Sequence, residues 1–127
     1  MREHHHAVLA TRRRDGGAQL SPVLVNVDGD GRAIVSSRET AYKVRNLRRD
    51  PQAQLCVLTD RFFGQWIFAD GTAEVLSLPE AMDPLIDYCK RFPDENPDWD
   101  DYRERMRSEK RVLIRIDLNS AGPDRQG

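Results

Sequence analysis

The sequence is poor in cysteine, in lysine and in long apolar runs, and it carries almost no net charge. Cys56 and Cys89 are the only thiols, 33 residues apart and without a CxxC neighbour. Neither a disulfide framework nor a zinc site is expected, and a reducing cytoplasmic setting is. No apolar run approaches the ~18 residues that would cross a bilayer. No apolar segment of the signal-peptide kind follows Met1, so membrane and secretory roles are not expected. A formal net charge of −1 supplies no field for nucleic acid or an anionic membrane as main partner, although a local basic groove stays open. Lysine occurs three times (Lys43, Lys90, Lys110) against seventeen arginines, so each lysine stands out.

Catalytic signatures are missing too. There is no GxSxG, phosphate-binding Walker pattern, HExxH or GxGxxG. Asp98, Asp100, Asp101, Glu80 and Asp83 have the spacing of helix-start acids rather than of a paired-carboxylate site. His4-His5-His6 runs straight into an apolar strand, and neighbours on a strand point to opposite faces, so no metal site is expected there. A chain without its own nucleophile or base can still run redox chemistry if a cofactor carries it.

What is present is one domain's worth of residues, 127, with 39% hydrophobic and 32% charged. Residues 7–11 read as a strand and Asp15-Gly16-Gly17 as a hairpin turn. Gln19 to Val27 reads as a second strand. Pro22 lies inside it and marks an edge or a bulge, because proline removes a ladder donor. Asp28-Gly29-Asp30-Gly31 is a second turn, and residues 33–36 a third strand. From Thr40 to Arg49 the period changes: Ala41, Val44 and Leu47 recur every third residue, as on an amphipathic helix. Ser37 or Thr40 is the expected cap, and Asp50-Pro51 the expected stop.

Further strands are expected at 54–59, at 65–76 with a bulge at Gly71, and at 111–118. Helices are expected at 79–92 and 98–109. Six antiparallel strands with inserted helices indicate a mainly β, split-barrel fold over residues 1–118, with 119–127 as a flexible tail.

Three places suit a ligand. Ser36 and Ser37 precede a helix start that carries Lys43, a combination of hydroxyls, backbone N–H groups and an ammonium suited to an anion; a solvated, capped basic helix is the plainer alternative. Gln19-Leu20-Ser21-Pro22 is a proline-interrupted strand that can offer polar groups to the edge of a heterocycle, or simply be an edge strand. Trp66, with Phe62, Phe63 and Phe68, can stack on a ring or fill a core.

Several segments carry a resemblance. Residues 7–11 with Asp15-Gly16 and Gln19-Leu20-Ser21-Pro22-Val23 resemble the opening of the pyridoxamine 5′-phosphate oxidase-like superfamily. Lys43 to Pro51 is similar to its K-x-R-N-L-x-x-D-P element, and Gly71 to Val75 to its G-x-A-x-V strand. Residues 98–103, followed by 111–114, resemble the subgroup that uses the deazaflavin coenzyme F420. The resemblance implies an FMN-binding split barrel, a homodimer with its cofactor sites at the interface, and a small-molecule substrate. It implies that Lys43, with Ser36, Ser37 and Asn46, holds the cofactor's phosphate or anionic tail. Gln19, Ser21 and Pro22 would face its ring system, with Trp66 near an aromatic position contributed across the dimer. The implied activity is F420-dependent hydride transfer to an electron-poor acceptor. An FMN-dependent oxidase or reductase, and a non-catalytic flavin, deazaflavin or haem carrier, are the alternatives; for haem, His4, His5 and His6 are the histidine candidates.

Overall fold

Residues 6–58, 66–92 and 95–121 are described by a computed structural model. Their chain order is β1 (His6–Arg12), β2 (Ala18–Leu24), β3 (Asn26–Val27), β4 (Ala33–Arg38), α1 (Tyr42–Arg49), β5 (Gln52–Leu58), β6 (Trp66–Leu76), α2 (Met82–Lys90), α3 (Trp99–Ser108) and β7 (Arg111–Ala121). All pairings are antiparallel, and the sheet order is β2-β1-β5-β6-β7-β4-β3. The two edges of this sheet, β2 and β3, are joined through Val25 alone. The sheet must therefore curl back on itself, and the result is a split barrel.

The seventh strand arises because the stretch expected as one strand, Gln19–Val27, divides at Val25. Its first part pairs with β1 and its last two residues with β4. Val25 is fully buried at the corner. Pro22 lies on edge strand β2, where a missing donor costs least.

The barrel interior collects one face of each strand. Leu9, Leu55, Val57, Val35, Ile114 and Ile116 meet Val44 and Leu47 of α1 there. The other face of β4 and β7 is covered as well, since Ile34 and Leu113 pack with Leu85 and Cys89 of α2 and Tyr102 and Met106 of α3. That second layer explains why Val112, Leu113 and Ile114 are all buried in sequence.

The expected bulge is present: the β6–β7 register shifts between Asp70 and Gly71. Beyond it the ladder continues, with Asp70 opposite Ser120 and Ala69 opposite Ala121. β7 therefore runs to Ala121 rather than stopping at Leu118, and residues 119–121 belong to the sheet. Helix α1 also differs from expectation. Neither Ser37 nor Thr40 caps it; Ala41 stands at the N-cap, and no side chain bonds there. Ser37 is drawn instead into β4, where it pairs with Val112 and is buried. The helix ends at Asp50 as expected, with the Asp50 N–H donating to the Asn46 carbonyl at 2.8 Å.

Among the described residues, nothing covers the outer face of β2, β1, β5 and β6. Register puts Pro22 beside Val8, Val8 beside Cys56 and Cys56 beside Phe68, one row across four strands. Leu20 is 62% exposed and Leu24 48% on the same side of β2, with Leu58 and Phe68 exposed on β5 and β6. Apolar side chains in this number on one sheet face go beyond the scattered exposure normal for a surface.

Candidate functional site

A groove of about 490 Å³ opens where β2, β4, α1, α2, α3 and the start of β7 converge. Pro22, Val23 and Leu24 form one wall, and Ser36 and Lys43 lie at the junction of β4 with α1. Tyr88 and Phe92 line the groove from the α2 side, and the two rings meet edge to face with centroids 5.0 Å apart. Tyr102, Arg105 and Met106 come from α3, and Arg111 from the first residue of β7.

The electrostatics centre on Lys43. Burial, and then the positive charge of Arg111, push its pKa below the ordinary lysine value. Among the described residues no carboxylate or hydrogen-bond acceptor pairs with it. Arg111 is partly answered by Glu109, whose Oε1 accepts from Arg111 Nε at 2.9 Å. That bond, helped by the charges of Arg111, Arg38 and Arg105, holds the Glu109 carboxyl below its usual pKa despite the opposing effect of burial. Helix α1 adds an uncapped N-terminus with no acidic residue in its first turn, so its leading N–H groups and positive dipole end meet no negative side chain. Two cations repel across a half-buried groove, and a bound anion would relieve both.

Tyr88 holds the groove in shape. Its hydroxyl donates to the Leu24 carbonyl at 2.8 Å and accepts a backbone bond from Ser36. β2 and β4 are not paired in the sheet, so this hydroxyl spans the gap between them. Burial raises the Tyr88 pKa to about 12, which keeps the proton on the oxygen. Tyr88→Phe is expected to lower stability by about 0.5–1.5 kcal/mol, the net worth of one hydrogen bond at a partly exposed site. Urea unfolding checks this, and an unchanged midpoint would show that the bridge contributes nothing.

The residues singled out from sequence divide. Pro22, Ser36 and Lys43 share the groove. Gln19 and Asn46 instead line a second groove with Arg13, Arg14, Tyr42, Arg45 and Arg49. Ser21 lies on β2 between them and lines neither. Ser37 is buried and its hydroxyl reaches only the Arg38 carbonyl, at 3.5 Å. Trp66 begins β6 opposite Leu58, and its side chain, like Phe62, Phe63, His4 and His5, lies outside the described residues. His6, the third histidine named for haem, starts β1 on the exposed side. Sequence reading missed Tyr88, Phe92, Tyr102, Arg105 and Arg111. Their spacing on helices is that of ordinary packing residues, and only the fold brings them opposite Lys43.

Comparison with known proteins gives this architecture a family. Residues 1–121 match the family described as pyridoxamine 5′-phosphate oxidase. The chain belongs to that family. Among solved structures, a conserved hypothetical protein of Mycobacterium tuberculosis is similar at 25% identity and a TM-score of 0.77, over 94% of this chain and 76% of that one. An F420 reductase is similar at 20% identity and a TM-score of 0.70, over 94% and 91%. A heme binding protein of Mycobacterium smegmatis is similar at 15% identity and a TM-score of 0.71, over 98% and 53%. At 20% and 15% identity these two likenesses show the shared fold. Among the described residues no group of three or more His, Cys, Asp and Glu could hold a metal ion, and no helix is long and apolar enough to cross a membrane.

Proposed function

We propose that this pyridoxamine 5′-phosphate oxidase family member is a cytoplasmic homodimeric oxidoreductase that binds coenzyme F420 in the Lys43 groove and reduces an electron-poor small organic acceptor. The observation that carries this reading is the half-buried, unpaired ammonium of Lys43 beside Arg111, at an uncapped helix start, in a groove that also offers apolar and aromatic side chains (Pro22, Val23, Leu24, Tyr88, Phe92), with Glu95 and Glu109 among its polar lining. One end suits a phosphate or carboxylate and the remainder suits a planar ring, which is the division of labour such a cofactor requires. The likeness to an F420 reductase supports the same choice.

When bound, the deazaflavin supplies the hydride. The chain's residues do the holding. Lys43 and the α1 N–H groups fix the anionic part, with Ser36 beside them. Pro22 and Leu24 keep water from one side of the ring, and Tyr88 keeps β2 and β4 at the spacing this requires. The wall that Pro22 and Leu24 form also belongs to the exposed apolar sheet face. A second copy of the chain seated on that face would complete the enclosure, and this supports the homodimer.

Titration of the purified protein with F420 and, separately, with FMN tests the reading through tryptophan quenching. Trp99 packs edge to face on groove residue Tyr102 at 5.4 Å and is a suitable reporter. Tight F420 and weak FMN binding is expected. Preference for FMN would overturn the deazaflavin assignment and favour the flavin alternative; binding of heme alone would make the chain a carrier. Lys43→Ala should weaken cofactor binding by about 1–3 kcal/mol, and unchanged affinity removes Lys43 from the site. Because the Lys43 pKa is lowered in the free protein, wild-type affinity should start to fall with rising pH earlier than an ordinary lysine would dictate, and Lys43→Ala should abolish that dependence.

A further inference from the structure

The second groove, about 620 Å³ in volume, runs along the face of α1 that carries Tyr42, Arg45, Asn46 and Arg49, opposite Arg13, Arg14 and Asp15 of the β1–β2 turn. We infer that it is a separate anion site, for a small ligand bearing two or more phosphate or carboxylate groups. Nothing in this inference depends on what occupies the Lys43 groove.

The alternative is a solvated basic helix face, and three observations speak against it. First, Arg49 is anchored from the interior. Its guanidinium donates to the Arg12 carbonyl at 2.7 Å and to Asn46 Oδ1 at 3.2 Å. Asn46 is only 6% exposed, and its Nδ2 donates at 3.1 Å to the hydroxyl of Thr11, itself 3% exposed. A chain of buried polar groups therefore sets the direction of one guanidinium at the groove wall. Preorganising a cation in this way removes the ordering cost that weakens ordinary surface pairs.

Second, the positive charge is left standing. Arg45 and Arg49 are four residues apart on one helix face, a repulsive spacing. Arg14 and Arg45 have no ion-pair partner among the described residues. Arg13 meets only exposed Asp15, at 3.3 Å. By contrast Arg48, on the same helix but off this face, is fully answered by both oxygens of Glu39 at 2.9 Å and by the Ser77 hydroxyl at 2.7 Å. The chain pairs Arg48, outside the groove, with a glutamate, and among the described residues leaves Arg14 and Arg45 inside it without an ion-pair partner, while Asp15 in the groove wall answers Arg13.

Third, the shape and neighbours suit a small molecule. The volume lies within the range of small-ligand sites, roughly 300–1,000 Å³. Guanidinium forks match the planar oxygens of carboxylate and phosphate. Tyr42, 71% exposed beside them, and the Gln19 amide offer further donors. With a net charge of −1 over the whole chain, the positive field is local, which favours a short oligoanion over a long polymer.

The test is calorimetric titration of the full chain with tripolyphosphate and with tri-glutamate at low salt, in a Lys43→Ala background that silences the other groove. Arg14→Gln/Arg45→Gln is compared with Arg107→Gln, an exposed α3 arginine outside both grooves, and melting curves confirm that each variant folds. One site per chain is expected, with affinity falling at least about ten-fold in the double variant and unchanged in Arg107→Gln. No binding, equal binding by the double variant, an equal loss in Arg107→Gln, or tighter binding of a short single-stranded DNA through the same arginines would each overturn the inference. The source of the anion is read from wild-type Lys43. If the double variant loses affinity for F420 but not for FMN, the groove is an extension of the Lys43 site and the inference of a separate site is overturned; if it loses only the probes, the anion is an independent ligand. A failure of F420 to bind at all would count against the proposed function and leave the probe result intact.

Discussion

On the proposed homodimeric, cofactor-binding reading, Leu24→Asp should give a monomer that no longer binds cofactor tightly. Leu24 is half exposed on edge strand β2, in the uncovered apolar face that continues through Val8 and Cys56 to Phe68. A carboxylate there would face its own copy or nearby apolar side chains across a two-fold contact, and burying it unpaired is costly. Loss of a central contact in such an interface costs about 2 kcal/mol or more. Because Leu24 also lines the Lys43 groove, the same change opens the site to water. Sedimentation velocity gives the mass, and the F420 titration gives the affinity. Leu20→Asp, on the same face but not lining the groove, separates the two effects: it should also dissociate the dimer and weaken binding if the second copy encloses the site. A Leu20→Asp monomer that binds as well as wild type would show that one chain suffices. A Leu20→Asp dimer would show that this face is not the contact.

Gly71→Ala should destabilise the barrel by about 1–3 kcal/mol, the usual cost of overpacking a filled interior. A Cβ at this bulge position would strike the Ile116 side chain and come within 2.7 Å of the Asp117 carbonyl. Ile116 can turn only against the core it helps to fill, and a backbone carbonyl in the β6–β7 ladder cannot yield without disturbing the register. Chemical denaturation should show a lower midpoint with unchanged slope. A midpoint equal to wild type would mean that the bulge has slack. Gly16 makes a useful contrast: nothing lies near its Cβ position, but its φ of +90° makes any side chain there a matter of backbone strain.

Much of the fold was legible in the chain because period and punctuation report on local structure. Ala41, Val44 and Leu47 repeat at helical spacing and place α1. Asp15-Gly16-Gly17 and Asp28 to Gly31 mark the two turns, the second closed by the Asp28 carboxylate, which accepts from the Asp30 and Arg32 N–H groups at 2.9 Å. Burial alone would raise the Asp28 pKa, but these bonds and the Arg32 guanidinium outweigh it and hold it below the usual value. Gly71 announced its bulge because a glycine inside a strand is costly without such a reason.

The sites were less legible. Lys43 stood out as one of three lysines beside two serines, but which of those serines could reach a ligand depended on strand direction. Ser36 and Ser37 point to opposite faces of β4, and only Ser36 meets the groove. Asn46 and Lys43 are three residues apart, and the packing of α1 against β1 commits Asn46 to Thr11 and to the arginine groove. The family motif is one continuous segment, but a helix turns its residues through successive directions, so neighbours in sequence serve different grooves.

By itself, then, the amino-acid order placed most of the strands, the two turns and the helices, the bulge at Gly71 and the family, and left Pro22 between an edge and a bulge, since each rests on interactions between residues near in sequence or on a motif read in order. The tertiary structure alone decided that Gln19–Val27 splits at Val25, that Tyr88 spans the gap between β2 and β4, and that Arg111 stands across from Lys43. Those depend on contacts between residues far apart along the chain, and only closing the sheet into a barrel brings them together.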